Sequence, residues 1–170
     1  MWGNLRLRWL REGDEKSFVA AHRAGSSPRF VFGLGYVDGM AWGEYLDALA
    51  DEQRGVRLRP GRAAATFLAA EHDGQIVGRL SVRHRLNEFL ECEGGHIGFG
   101  VVPEFRGRGF ATSMLRQALV IARSHGVDRS LLVCDDRNAA SVRVIERCGG
   151  ALENTIVDDT GVVLRRYWID

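Results

Sequence analysis

The 170-residue chain lacks any apolar run long enough to cross a bilayer, which excludes a transmembrane helix and argues against a membrane partner. Its start, Met1-Trp2-Gly3-Asn4-Leu5-Arg6-Leu7-Arg8, alternates in the manner of a strand and has no apolar core of the secretory kind. The expected location is the cytoplasm. Lysine is almost missing: Lys16 is the only one, and arginine supplies the rest of the 23 basic residues, against 22 acidic ones. A net charge of +1 lacks the basic excess of a nucleic-acid binder, so no such partner is expected. Cysteine is scarce. Cys92, Cys134 and Cys148 make an odd set with no Cys-x-x-Cys spacing, which argues against a disulfide framework and against a zinc site. No metal is expected. Proline is rare, and two of the three mark breaks: Pro28 ends the first helical pattern and Pro103 stops a strand.

What is present is ordinary in bulk, with 45% apolar and 26% charged residues, as in a soluble globular domain. The length suits one core, so one domain over residues 1–170 is expected. The sharpest chemistry lies in Gly98-Phe99-Gly100-Val101-Val102-Pro103-Glu104-Phe105-Arg106-Gly107-Arg108-Gly109-Phe110-Ala111. An apolar strand ends at Pro103, a short loop holds two glycines and two arginines, and an amphipathic helix begins at once. Phe110, Ala111, Met114, Leu115, Ala118, Leu119 and Ala122 give that helix its apolar face. Strand, glycine turn and helix N-terminus form a geometry that binds phosphate, because the first amides of a helix have no internal acceptor. No Gly-Lys-Ser/Thr follows, so this is not a nucleotide-hydrolysing loop.

Read in order, the chain predicts β-α-α-β-β-β-α-β-α-β-β. A first strand spans Leu5 to Trp9, a helix capped by Asp14 runs through Phe18, and a second helix covers Met40 to Ala50. Strands at Ala64 to His72 and Gln75 to Arg85 are joined by Asp73-Gly74, a strong hairpin signal. A loop with Glu88, Glu91 and Glu93 leads to a fourth strand from His96 to Val102. The long helix ends near Gly126, Ser130 to Cys134 is a fully apolar strand, and Asp135 to Asn138 start the last helix. Ala151 to Val157 and Val162 to Ile169 are the final strands. The mixed order implies one α/β domain with a mixed sheet flanked by helices.

Arg106-Gly107-Arg108-Gly109-Phe110-Ala111 resembles the acetyl-coenzyme A motif of the GNAT-superfamily N-acetyltransferases, Arg/Gln-x-x-Gly-x-Gly/Ala. Asp136-Arg137-Asn138-Ala139-Ala140-Ser141, followed by Glu146-Arg147-Cys148-Gly149, is similar to the family's second cofactor motif, and the element order matches over nearly all of the chain. Gly94 to Val101 and the ending Arg166-Tyr167-Trp168-Ile169 look like a bacterial subgroup of predicted acetyltransferases. The resemblance implies a GNAT-like fold and transfer of acetyl from acetyl-coenzyme A, the co-substrate, to a primary amine on a small molecule or peptide. It implies that amides from Arg106 through Gly107, Arg108, Gly109 and Phe110 to Ala111 hold the pyrophosphate. The edge at Phe99, Val101 and Val102 would pair with the pantetheine arm, and Asn138 would make a polar contact to it. A non-catalytic acyl-coenzyme A-binding module, and monomer or homodimer, remain alternatives.

The acid–base residues are open at this level. Relatives often place a base early in the fourth strand, where Gly95 has no side chain; His96 is its neighbour, and Glu91 and Glu93 compete from the preceding loop. The relatives' tyrosine, seven residues after the motif asparagine, is replaced by Ile145, which leaves Ser141, water or no acid to serve the departing thiolate. The aromatic stretch Phe30 to Trp42 reads as core or as acceptor wall, with Tyr36 and Trp42 the residues to follow.

Overall fold

A computed structural model describes residues 5–170. Met1 to Asn4, the beginning of the alternating N-terminal stretch, lie outside the described residues. The elements follow in the expected order: β1 (Arg6–Arg8), α1 (Glu15–Gly25), α2 (Trp42–Arg54), β2 (Ala65–His72), β3 (Gln75–Arg83), β4 (Ile97–Val101), α3 (Phe110–Ser124), β5 (Ser130–Asp135), α4 (Ala139–Arg147), β6 (Ala151–Val157) and β7 (Val163–Ile169). Asp73 and Gly74 both adopt positive φ, 49° and 77°, which suits a tight hairpin between β2 and β3. Helix α2 runs four residues past its expected end, to Arg54; Asp51 to Arg54 are polar and give no apolar period to read, and Asp51 holds this turn by pairing with Arg54 and Arg57. Gly55 stops it with φ 69°. Asp14 precedes α1 but does not cap it. Its carboxylate accepts instead from the Arg11 amide at 2.8 Å and from Arg8 Nη1 at 2.6 Å.

The strands form two antiparallel sheets, β1-β2-β3-β4 and β5-β7-β6, instead of one continuous ladder. Among the described residues one main-chain bond links β5 to the approach to β4, from the His96 amide to the Leu131 carbonyl at 2.7 Å. Two apolar cores flank the first sheet. On one side Leu80, Val82 and Ile97 meet the buried face of α3, with Met114, Leu115 and Ala118 fully enclosed. On the other, Phe67 and Ala69 meet Phe18, Trp42 and Tyr45 from α1 and α2. This division follows from strand alternation, which sends successive side chains to opposite faces. No helix among the described residues is long and apolar enough to cross a membrane.

Three histidines are held neutral chiefly by burial: His22, His84 and His96 all titrate below their ordinary value. The His84 ring also stacks on His125, with centroids 3.7 Å apart. The unfolded chain binds protons at these sites first, so stability is full above about pH 6.5 and is lost as the pH falls below it. Each pK unit is worth about 1.4 kcal/mol, and 1 kcal/mol moves the midpoint of a domain this size by about 2–4 °C. Thermal unfolding should therefore fall by several degrees between about pH 7.5 and about pH 5.5. A flat midpoint across that window would contradict the assignment.

Candidate active site

Among the described residues β4 and β5 have no pairing beyond the His96–Leu131 bond, and a cleft of about 1200 Å³ opens between them. Which edge of β4 faces the cleft follows from its ladder. The Val102 amide donates to the Val77 carbonyl at 2.9 Å, on the β3 side. Alternation then turns the main-chain groups of Ile97, Phe99 and Val101 outward. Val102 therefore departs from the expected set: its amide is already used and its side chain is buried. The Val101 carbonyl accepts from Arg106 Nε at 3.1 Å, which pins the arginine to the mouth of the cleft.

The loop after β4 leaves a run of amides free. The Arg106 amide bonds to the Pro103 carbonyl at 3.2 Å, so Arg106 contributes its side chain rather than its backbone donor. The next amide with a main-chain acceptor is that of Ser113, bonded to Gly109 at 3.2 Å. Between them, the amides from Gly107 to Thr112 have no main-chain acceptor among the described residues. Gly107 and Gly109 sit at φ 75° and 80°, in the left-handed region, and Gly109 is the residue from which α3 starts. Gly107, Gly109, Phe110 and Ala111 line the cleft. Arg108 does not: its guanidinium lies over the Phe105 ring at 5.4 Å and donates to the Glu104 carbonyl at 3.2 Å.

The opposite wall is the start of α4. Asn138 is its N-cap, with Oδ1 accepting from the Ser141 amide at 3.1 Å, which leaves the Nδ2 donors for another partner. Asn138 and Ser141 both line the cleft. The third wall comes from the segment between α1 and α2. Phe30, Val31 and Leu34 line the cleft, and Phe30 lies against Gly100, where a side chain on the strand would enter its ring. Tyr36 and Trp42 belong to the aromatic core around Phe18 instead, and Trp42 Nε1 donates to the Arg11 carbonyl at 3.0 Å. The stretch thus divides, Phe30 facing the site and the later aromatics packing.

A family model described as acetyltransferase (GNAT) family matches residues 35–150. The chain belongs to that family. A mycothiol acetyltransferase of Thermobispora bispora is 36% identical over 91 residues, a stretch that is 50% of this chain and 30% of the relative. The match thus spans about a third of that relative's length. Among solved structures, an N-acetyltransferase from Staphylococcus aureus Mu50 superposes with a TM-score of 0.67 at 18% identity, covering 99% of each chain. The yncA protein of Salmonella typhimurium, determined with its cofactor acetyl-CoA, gives 0.65 at 15% identity and covers 98% of this chain and 93% of its own. These likenesses establish the GNAT fold.

The acid–base candidates separate sharply on this GNAT scaffold. His96 is buried and is not among the cleft-lining residues. Its Nδ1 accepts from the Leu131 amide at 2.9 Å, so the lone pair a base would use is occupied. Glu91 is exposed on the π-type turn Leu90–Gly94, and its part is a carbonyl that accepts from Arg166 Nη2 at 2.8 Å. Glu93, two residues on, lines the cleft. So do Asp135 and Asp158, but arginines occupy them: Arg29 donates to Asp158 at 2.7 Å and Arg137 pairs with Asp135 at 3.4 Å. Those contacts hold both carboxyls below the usual range. Among the described residues Glu93 is the cleft carboxylate without an ion pair. Cys134 also faces the cleft, but burial pushes its thiol up to about 11, which keeps it protonated and a poor nucleophile. Tyr167 is enclosed beneath α4, with its hydroxyl donating to Glu146 Oε1 at 3.1 Å.

Proposed function

We propose that this protein transfers the acetyl group of acetyl-coenzyme A to a primary amine of a small molecule or peptide, by direct attack within a ternary complex in the cytoplasm. The observation that carries the reading is the run of unpartnered amides from Gly107 to Thr112 at the mouth of a cleft where two strands part. Those donors, at a helix N-terminus with the Arg106 guanidinium beside them, suit a pyrophosphate. The outward edge of Phe99 and Val101 suits the amides of a pantetheine arm laid down like an added strand. An amide on that edge donates to the thioester oxygen and stabilises the charge that grows there as nitrogen attacks. Glu93 takes the proton from the attacking ammonium, directly or through one water. The thiolate leaves with the help of Ser141 or water, or with no acid at all, which a thiol of ordinary pKa permits.

Thiol release from acetyl-coenzyme A, measured against a panel of amines, tests this reading, with the acetylated amine identified by mass. Glu93→Gln should lower kcat by about 100-fold or more while leaving KM for acetyl-coenzyme A unchanged. An unchanged kcat would remove Glu93 from the role of base. Tight coenzyme binding with no thiol release on any amine would favour a non-catalytic acyl-coenzyme A-binding module.

A further inference from the structure

Two arginines on β3 are not accounted for by the donor half of the site. Arg79 and Arg83 lie on the face of β3 that Gly98 and Gly100 of β4 share, since Arg79 pairs with Gly100 and Ser81 with Gly98. Both line the cleft. Arg79 is 3% exposed. Of its five N–H donors, one on Nη2 reaches the Val31 carbonyl at 2.8 Å, while Nε and Nη1 are buried without a partner among the described residues. Arg83 Nη1 donates to the carbonyls of Gly94 and Gly95 at 3.1 and 3.3 Å. Neither guanidinium has a carboxylate within ion-pair distance among the described residues.

The two cations converge on one point. A Cβ on Gly98 would lie 3.3 Å from Arg79 Nη1, 3.4 Å from Arg83 Nη1 and 3.7 Å from Arg83 Nη2. Gly98 keeps that point open, and the Phe30 ring supports Arg79 from beneath, 4.3 Å from its guanidinium carbon. Burial, together with the neighbouring charge, pushes Arg79 down to about 9 and Arg83 down to about 10, so both remain charged at neutral pH. A buried cation beside a half-buried one, with no counter-ion among the described residues, is costly, and the unmet donors of Arg79 add to that cost. A bound oxyanion would relieve both terms through charge-assisted, fork-shaped hydrogen bonds.

We propose that Arg79 and Arg83 form the anion subsite of the acceptor, so that the amine acetylated here belongs to a molecule carrying a carboxylate or a phosphate. This rests on the acetyl-transfer reading above and narrows its substrate class. The anionic group seats over Gly98 against the two guanidinium groups, and Glu93, also on the cleft wall, faces the ammonium end. Simple polyamines, which carry only positive charge, are excluded by the same two arginines.

The test pairs acceptors that differ by the anion alone: amino acids against their decarboxylated amines, and phosphoethanolamine against ethanolamine. The acid-bearing member should be favoured in kcat/KM by about 100-fold, the worth of one or two charge-assisted bonds; the two pairs separate carboxylate from phosphate. Arg83→Met should abolish most of that preference by raising KM for the anionic member, while KM for acetyl-coenzyme A and the rate with the decarboxylated amine hold. Gly98→Ala, which places a methyl at the convergence point and keeps both charges, should do the same even if Arg83→Met folds poorly. Equal use of both members, or a change confined to acetyl-coenzyme A, would overturn the assignment. Absence of turnover on every amine would count against acetyl transfer and not against the subsite. The subsite is then decided by thermal unfolding of the coenzyme A-loaded protein with inorganic phosphate or acetate. Stabilisation beyond that of chloride at equal ionic strength, lost in Arg83→Met, supports it, and its absence in the wild type refutes it.

Discussion

Gly109→Val is expected to weaken acetyl-coenzyme A binding by about 100-fold or more, with the fold retained. Gly109 holds φ at 80° and ψ at 0° immediately before the first turn of α3. A non-glycine residue in that region costs about 1–2 kcal/mol, and a β-branched one more. The cheapest relief is for the loop to turn out of the left-handed conformation, which re-aims the amides that follow. Each lost bond to a charged oxygen is worth about 1.5–3 kcal/mol, so misdirecting two of them accounts for the expected loss. Most of the core is spared because Met114 through Ala122 on the buried face of α3 lie a turn or more away, and Phe110, buried directly after Gly109, is the one core residue next to the change. Calorimetric titration with acetyl-coenzyme A, beside thermal unfolding of the free protein, separates the two effects. An affinity within threefold of the wild type would mean that these amides do not hold the donor.

His96→Ala should cost about 2–3 kcal/mol of stability, because it strips the acceptor from a buried amide and leaves a void. The Leu131 amide that Nδ1 accepts from belongs to a fully buried residue, and this junction is where β4 and β5 meet before they part. The melting midpoint should drop by roughly 5–10 °C. His96→Asn, whose side-chain oxygen can take over that amide, should recover part of the loss. In both variants the pH dependence of kcat should keep its wild-type shape, since the imidazole holds a strand junction and takes no proton from the acceptor. A lost titration limb with an unshifted midpoint would return His96 to the role of base.

How far each expectation carried depended on whether its cause was local. The order of elements came from periodicity, and the Asp73-Gly74 hairpin and the Gly126 stop of α3 came from backbone chemistry at single residues. These are properties of short segments, so sequence shows them directly. The end of α2 was missed because its last turn is polar, and its stability depends on Asp51 meeting Arg54 and Arg57 at 2.6 Å each. Asp14 looked like a cap because its type and position fit one. It was drawn elsewhere by Arg8 on a strand whose place beside it only folding decides.

The same division runs through the site. The motif Arg106 to Ala111 could be read because a phosphate cradle is one loop and one helix start, contiguous in the chain. The side proposed for the acceptor is assembled from β3, β4, the turn before β4 and the segment after α1, which no local pattern connects. A trace of it was present: one face of β3 carries Arg79, Ser81 and Arg83 in alternation, and two arginines four residues apart on a covered face are out of place in a core strand. Their partner signal was the Gly98-x-Gly100 pair, whose missing side chains make room for two guanidinium groups and for Phe30.

By itself, then, the sequence determined the α/β order, the family resemblance and the loop suited to an acyl-coenzyme A donor, since each is encoded in contiguous residues and their own backbone preferences. Tertiary structure decided that His96 is a clamp, that Glu93 rather than Glu91 faces the cleft, and that two unpaired arginines meet over a glycine. Those facts depend on which distant side chains burial forces together, and on charges whose partners, or lack of them, exist only once the chain has folded.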